Sequence, residues 1–154
     1  MTHAEHTYQS HLVWEGSTGA GYAVYERAHT VVAPPATTEI QLSADPAFRG
    51  DAARTNPEQL LVMAASSCQL LSFLAVAARH KVDVLAYEDD AVGVMPSDRT
   101  PMRITAITLS PRIVVAAGTD IEGVERMVDE AHDQCYIANS LTTEVTVLPT
   151  VAHP

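Results

Sequence analysis

Two cysteines are the residues of this sequence best suited to chemistry. Cys68 lies at the centre of an almost unbroken apolar stretch, TNPEQLLVMAASSCQLLSFLAVAARHK, and Cys135 closes an acidic turn with a histidine, AHDQC. A buried cysteine is most often a small hydrophobic residue, so neither thiol alone indicates catalysis. If both thiols face one pocket, however, one sulfur can be oxidised and the other can trap it as a disulfide.

The length and charge of the chain narrow the classes of function. Its 154 residues fit a single domain over residues 1–154, with residues 1–10 expected to form a flexible tail. The formal net charge of −10 repels phosphate backbones and anionic lipids, so we expect neither a nucleic acid nor a membrane as partner. The first residues, MTHAEHTYQS, lack the basic and apolar regions of a secretory signal. We therefore expect a cytoplasmic protein, in which thiols are reduced, metal-bound or catalytic rather than locked in a structural disulfide.

The pattern along the chain predicts an α+β fold with two main helices and antiparallel sheets. β-branched and aromatic residues between turn signals predict a three-stranded meander over residues 11–14, 21–33 and 37–43. A loop over residues 43–55 leads to a helix that Asn56 caps and Pro57 begins, with Gln59 at the capping-box position, and that ends near Arg79. Residues 82–95 and 102–116 predict a hairpin, residues 120 to about 136 a second helix, and residues 143–148 a last strand.

The first helix is apolar enough over residues 60–78 to be mistaken for a membrane span. Ser66, Ser67, Gln69 and Ser72 cluster at its middle, where a lone membrane helix is most apolar, so we reject that interpretation. A helix that is apolar all round belongs in the interior of a protein, and one small chain can hardly surround it. The sequence therefore predicts that a second copy of the chain covers this helix.

Cys135 continues the apolar face of the second helix, because it recurs with Val128 and Ala131 at spacings of three and four. His132 lies one helical turn before it, but a metal site needs three or four ligands, and no CxxC or HExxH pattern accompanies the pair. We therefore expect no metal and no other cofactor.

The sequence around the two cysteines resembles the OsmC/Ohr family of osmotically inducible and organic hydroperoxide resistance proteins. The resemblance rests on TNPEQLL, on Glu58 ten residues before Cys68, and on AHDQCYIANS around Cys135. It implies the OsmC-like α+β fold, with the long central helix buried in an intertwined homodimer. It also implies a thiol peroxidase that reduces small hydrophobic organic hydroperoxides, with Cys68 as the peroxidatic thiol and Cys135 as the resolving thiol. An external dithiol, such as a lipoyl-bearing one, then reduces the disulfide.

The same resemblance assigns an arginine and a glutamate to the site. Glu58 matches the family's carboxylate, and counting back without gaps from the strand IQLSA places Arg27 at the family's arginine. The G-G-R-D-G segment of typical hydroperoxide resistance members is absent, and Arg49 and Arg54 are rivals for the role. Glu58 also suits the start of a helix simply as a negative charge.

An arginine and a glutamate would also make electrostatic sense beside a reactive thiol. A free cysteine has a pKa of about 8.5, and apolar surroundings raise it, so a cation is needed to favour a thiolate. An arginine held by a carboxylate supplies that cation. Ten residues of helix separate Glu58 from Cys68 by roughly 15 Å, with side chains about 80° apart, so we expect the partner chain to bring its Glu58 to this cysteine. The alternative function is a non-enzymatic dimer that binds a hydrophobic ligand or senses redox state.

Overall fold

The computed structural model describes residues 5–154, which form two compact units. One unit ends at Leu60 and the other comprises Leu61–Pro154. The single domain expected over residues 1–154 stays a prediction. Of the expected flexible tail, residues 5–10 are exposed and have no regular secondary structure, while residues 1–4 lie outside the described residues.

The first unit contains the expected meander with shorter strands. Strands β1 (His11–Val13), β2 (His29–Val32) and β3 (Ile40–Leu42) pair in sequence order, and both pairs are antiparallel. The predicted strand over residues 21–33 was too long, because turns occupy its first part. Gly21 adopts a positive φ of 92° there, and the amide of Val24 donates to the Gly21 carbonyl. A short 3-10 helix, Pro46–Phe48, lies in the predicted loop.

Helix α1 (Pro57–Arg79) has the predicted bounds. Its start is a complete capping box, in which the Gln59 amide donates to Asn56 Oδ1 at 2.8 Å and the Asn56 amide donates to Gln59 Oε1 at 3.0 Å. Its end is a Schellman motif: Lys81 adopts a left-handed φ of 59°, and the Val82 amide donates to the Ala77 carbonyl at 2.9 Å. Local signals at both ends therefore fix the length of α1.

The second unit consists of two three-stranded sheets and two further helices. Its elements in chain order are β4 (Val84–Asp89), β5 (Val92–Val94), β6 (Ala106–Leu109), β7 (Pro111–Val115), α2 (Ile121–Asp133), α3 (Tyr136–Ser140), β8 (Glu144–Val147) and β9 (Thr150–Ala152). The predicted hairpin is present, since β4 pairs with β7 and β5 with β6, both antiparallel.

The α+β class with two main helices is confirmed, but the sheets are not purely antiparallel as expected. Strand β8 runs parallel to β6, and β9 runs parallel to β7. The chain crosses from β7 through α2 and α3 before it enters these strands, and such a helical crossover allows parallel pairing. Strand β9 was not anticipated at all.

Two apolar clusters form the core of the second unit, and α1 contributes to both. Ala65 packs in one cluster with Ile107 and Leu109, and Phe73 packs in the other with Val128. Another face of α1 is open, and its exposed large side chains are Met63, Leu71 and Leu74. By length and composition α1 could cross a membrane. Only 28% of its most apolar 18-residue segment is buried within the chain, so most of that segment has no cover from this copy. Burial of this face in a homodimer stays a prediction.

Candidate functional site

The two cysteines lie in the second unit, on different elements. Cys68 is half-buried in the middle of α1, and Cys135 is buried with 1% of its surface exposed. Cys135 was expected on the apolar face of the second helix, and this was wrong, because α2 ends at Asp133 and Cys135 is the residue that precedes α3. The side chain of Asn139 stabilises the break by donating to the Asp133 carbonyl at 2.9 Å and to the Cys135 carbonyl at 3.0 Å.

The structure brings the two thiols together. Both are free, and they lie close enough for Cys68 to raise the pKa of Cys135. Burial raises the pKa of Cys135, and the adjacent Cys68 raises it further against the opposing effect of the Ala138 and Ile137 amides. Cys135 therefore stays protonated at neutral pH. The Ile137 amide donates to Cys68 Sγ at 3.5 Å, so the backbone just after Cys135 lies against the Cys68 side chain.

Gln69 is the polar residue buried deepest beside the thiol pair. Its side chain is fully buried, and Nε2 donates to the Val128 carbonyl of α2 at 3.2 Å. Its Oε1 has no hydrogen-bond partner among residues 5–154. Gln69 therefore ties α1 to α2 directly beside Cys68, at the cost of one unsatisfied acceptor.

Arg27 and Glu58 lie in the first unit, on the wall of one cavity of about 440 Å³. Arg27 is 9% exposed, and its guanidinium donates to the carbonyls of Tyr25 at 2.8 Å and Tyr22 at 2.7 Å. It also lies over the ring of Tyr25, 3.9 Å from the centroid, and over that of Tyr22 at 4.8 Å. No salt bridge joins Arg27 to a carboxylate in the part of the chain that the structure describes.

The two rival arginines do not line this cavity. Arg49 is exposed at the end of the 3-10 helix, where its own φ of 66° completes the turn. Arg54 pairs with Asp51 at 3.4 Å and donates to Gln41 Oε1 at 2.7 Å, beside a different cavity of about 300 Å³. Of the three candidates, Arg27 alone lines the same cavity as Glu58. The roles of both residues stay predictions.

Most of the cavity wall was not anticipated from the sequence. Aromatic rings dominate it, and they come from three separate segments: Trp14, Tyr25 and Phe48. The remaining lining residues are small, polar or acidic: Thr18, His29, Ser43, Ala44, Asp45 and Pro57. No spacing in the sequence links these segments, since turns and strand pairing bring them together. The cavity is thus largely apolar, with one guanidinium and two carboxylates at its wall.

No arrangement for a metal is evident among residues 5–154. Within that range, no group of three or more His, Cys, Asp and Glu side chains lies close enough together to hold an ion. His132 and Cys135 are joined through the backbone, where the Cys135 amide donates to the His132 carbonyl at 3.1 Å.

Comparison with known proteins identifies the family. The model of the OsmC family, described as OsmC-like protein, matches residues 50–148, a range that includes Glu58, Cys68 and Cys135 and excludes Arg27. Curated proteins gave no significant match.

Solved structures match over almost the whole chain. An OsmC-like protein of unknown function from Vibrio cholerae is 29% identical, with a TM-score of 0.85 over 95% of this chain and 100% of that one. An organic hydroperoxide resistance protein, OsmC, from Legionella pneumophila is 19% identical, with a TM-score of 0.70 over 97% and 99%. The organic hydroperoxide resistance protein OhrB of Bacillus subtilis is 18% identical, with a TM-score of 0.64 over 96% and 98%. The family model together with these folds shows that the chain belongs to the OsmC/Ohr family.

Proposed function

We propose that this protein is a thiol peroxidase that reduces small hydrophobic organic hydroperoxides to alcohols in the cytoplasm, without a metal or other cofactor. The observation that carries the proposal is the contact between Cys68 and Cys135. Two free thiols in contact, one of them kept protonated by burial, form a pair in which the two sulfurs can take different roles.

The reaction divides into two steps at the thiol pair. In the first, the Cys68 thiolate attacks the terminal oxygen of the peroxide, the O–O bond breaks, and the alkoxide leaves and takes a proton to become the alcohol. Cys68 is thereby oxidised by two electrons to a sulfenic acid. In the second step Cys135 attacks Cys68, an S–S bond forms as the S–O bond breaks, and the proton of Cys135 leaves with the hydroxyl as water. An external dithiol, of which a lipoyl group is one example, reduces the disulfide and completes the cycle.

We assign Arg27 and Glu58 to the first step. The aromatic wall of their cavity suits the hydrocarbon part of a hydroperoxide, and a guanidinium stabilises the negative charge that develops on the peroxide oxygens. Glu58 orients that guanidinium once the site is complete. Arg27 is already almost fully buried and held by two carbonyls, so its position is set before substrate binds.

We infer a homodimer from the exposed face of α1. Met63 is 49% exposed, Leu71 64% and Leu74 38%, and they recur at spacings that place them on one side of the helix. A second copy covers this face, and in our proposal its Arg27 and Glu58 then serve the Cys68 of the first chain. Mixed dimers test whether the arginine of one chain serves the cysteine of the other.

For that test, a Cys68→Ser chain and an Arg27→Met chain with different affinity tags are co-expressed, and the heterodimer is purified. Each homodimer is inactive. If arginine and cysteine come from different chains, the heterodimer regains one working site of its two. An inactive heterodimer places both residues in one chain and contradicts the shared site.

The peroxidase itself is tested with one equivalent of cumene hydroperoxide added to reduced protein. Wild-type protein should lose the mass of two hydrogen atoms, through a bond between Cys68 and Cys135. The Cys68→Ser variant should not consume the peroxide, because a hydroxyl ionises far less readily than a thiol. The Cys135→Ser variant should consume about one equivalent, then stall and advance to sulfinic acid. Normal turnover in both variants would show that the pair is not catalytic.

The aromatic cavity also favours a second candidate function, a dimer that binds a hydrophobic ligand without turning it over. Trp14, Tyr25 and Phe48 supply most of the contact surface that such a ligand needs. Fatty-acid hydroperoxide and the corresponding fatty alcohol distinguish the two functions. Binding of both compounds without peroxide loss, in the presence of a dithiol, would identify a binding protein, whereas peroxide loss that depends on Cys68 identifies the enzyme.

A further inference from the structure

A single exposed side chain, that of Asn139, joins the two sides of the break between α2 and α3. Its Nδ2 donates to the Asp133 carbonyl at 2.9 Å and to the Cys135 carbonyl at 3.0 Å. The first carbonyl belongs to the last residue of α2, and the second belongs to the residue that precedes α3. One side-chain amide therefore fastens both ends of the break.

The Cys135 carbonyl accepts two hydrogen bonds from the same residue. Besides the side-chain bond, the backbone amide of Asn139 donates to it at 3.0 Å. On the other side of the break, the Cys135 amide donates to the His132 carbonyl at 3.1 Å. The orientation of the Cys135 backbone thus depends on Asn139 through two of these three contacts.

The segment that Asn139 holds lies directly against Cys68. The Ile137 amide, two residues after Cys135, donates to Cys68 Sγ at 3.5 Å. Cys135 itself is buried, with 1% of its surface exposed. Loosening residues 133–139 would therefore shift both the Ile137 amide and the buried thiol relative to Cys68.

Gln69 also ties the elements of the two cysteines together, but it holds a different part of the chain. Its Nε2 donates to the Val128 carbonyl, which lies within α2. Because α2 ends at Asp133, this bond fixes the helix and leaves the residues after it free. Those residues are held by Asn139.

We propose that Asn139 is a positioning residue for the second step of the peroxidase cycle, in which its side-chain amide holds Cys135 in the orientation for attack on the oxidised Cys68. This inference rests on the proposed peroxidase function. The S–O bond of Cys68 breaks, the S–S bond forms, and the hydroxyl leaves as water with the proton of Cys135. Asn139 exchanges neither a proton nor an electron. It keeps the second thiol in a fixed geometry, so that Cys135 reacts before a second peroxide molecule does.

Two substitutions separate the N–H donors of Asn139 from its bulk. Asn139→Asp keeps the size of the side chain, removes both donors and sets a carboxylate beside two carbonyl oxygens, which repel it. Asn139→Ala removes the side chain without adding repulsion. If hydrogen bonds position Cys135, disulfide formation is slower in Asn139→Asp than in Asn139→Ala. Because Asn139 is exposed, neither change opens a cavity in the core.

Ser140→Ala is the matched control, because Ser140 is the exposed neighbour of Asn139 in α3. Its Oγ donates to the Tyr136 carbonyl, at 2.6 Å. That bond lies within α3 and does not cross the break. Ser140→Ala therefore removes a side-chain hydrogen bond from the same helix and leaves the clamp on Cys135 intact.

In the assay, reduced protein is mixed with one equivalent or an excess of cumene hydroperoxide and quenched at intervals. Peroxide loss, disulfide and sulfinic acid are then measured, the last two by mass spectrometry. For Asn139→Ala we expect disulfide formation slowed about tenfold, and for Asn139→Asp a larger slowing. Sulfinic acid should increase in both as peroxide is raised. Loss of the first equivalent should change by less than about threefold, since only one neutral hydrogen bond to Cys68 is affected. Ser140→Ala should match wild type.

Each other outcome overturns the inference in a recognisable way. If wild-type protein forms the disulfide and both Asn139 variants form it equally fast, this inference fails while the peroxidase function stands. If wild-type protein forms no disulfide, the proposed function fails and this inference with it. Wild-type rates in Asn139→Asp alone would show that bulk matters and not the N–H donors. An equal slowing in Ser140→Ala would show that the effect reflects the stability of α3. A lower urea midpoint with an unchanged ratio of disulfide to sulfinic acid would show that Asn139 is only structural, because that ratio is set within the folded protein.

Discussion

Replacement of Arg27 by methionine should destabilise the first unit as well as slow peroxide reduction. The guanidinium makes two hydrogen bonds to carbonyls, at 2.7 and 2.8 Å, and lies over two tyrosine rings. A hydrogen bond from a charged donor contributes about 1.5–3 kcal/mol, and a cation–π contact about 0.5–2 kcal/mol. The cost of burying the charge offsets part of this sum. We therefore expect Arg27→Met to lower the free energy of unfolding by about 2–4 kcal/mol.

Trp14 offers a direct assay for this effect, because it is the only tryptophan of the sequence. Its Nε1 donates to the Glu26 carbonyl at 2.8 Å, next to Arg27, and it lines the same cavity. Its fluorescence during urea unfolding therefore reports on the segment that Arg27 holds. Protein concentration must be kept fixed, since the stability of a dimer depends on it.

Arg27→Lys is the matched control, because it keeps the charge but loses the planar fork. A lysine reaches one carbonyl well and stacks less closely, so we expect a loss of about 1–2 kcal/mol. If peroxide reduction by Arg27→Lys remains as slow as in Arg27→Met, the fork itself is needed by the substrate. A urea midpoint of Arg27→Met equal to that of wild type would refute the contact energies assigned here.

Three further predictions follow from other parts of the structure. Asn56→Ala breaks the capping box of α1 and should cost about 1–2 kcal/mol by urea unfolding, whereas an unchanged midpoint would show that the cap is dispensable. Leu71→Glu should yield monomers in sedimentation, whereas Leu85→Glu, at a similarly exposed leucine of β4, should remain dimeric. Burial raises the pKa of Cys135 in the folded state, so the unfolded chain loses the thiol proton at a lower pH than the folded one does. The stability that the protonated thiol contributes is therefore complete below about pH 8.5, and above it the free energy of unfolding falls by up to about 1.4 kcal/mol per pH unit. Cys135→Ser should lack that part of the slope above about pH 8.5.

Helix α1 shows which parts of the fold a sequence can predict. Asn56, Pro57 and Gln59 are local signals, and their hydrogen bonds form within one turn, so the start of the helix was predicted to the residue. The basic cluster after Ala78 gave its end equally well. The strands were harder, because strand ends depend on pairing with distant residues. No local pattern in the sequence predicts that β8 runs parallel to β6 and β9 parallel to β7.

The roles of the candidate site residues stay predictions, and the sequence did not predict the surroundings of Arg27 and Glu58. Counting from β3 selected Arg27 among three arginines, and the structure places that residue on one cavity wall with Glu58. The aromatic wall comes from segments that are far apart in sequence, and no periodicity connects them.

The incorrect placement of Cys135 has a physical cause with a bearing on the chemistry. Apolar residues keep their spacing of three and four through Cys135, so periodicity continues past the point where α2 stops. The break depends on a side chain four residues further on, because Asn139 satisfies the carbonyls that the helix leaves free. A cysteine inside a helix is held by the hydrogen bonds of the turns on either side of it. Cys135 lies outside both helices, directly before α3. In our proposal Cys135 is the resolving thiol, and the break that Asn139 stabilises puts it between two helices rather than inside one, with the Ile137 amide that follows it donating to Cys68 Sγ.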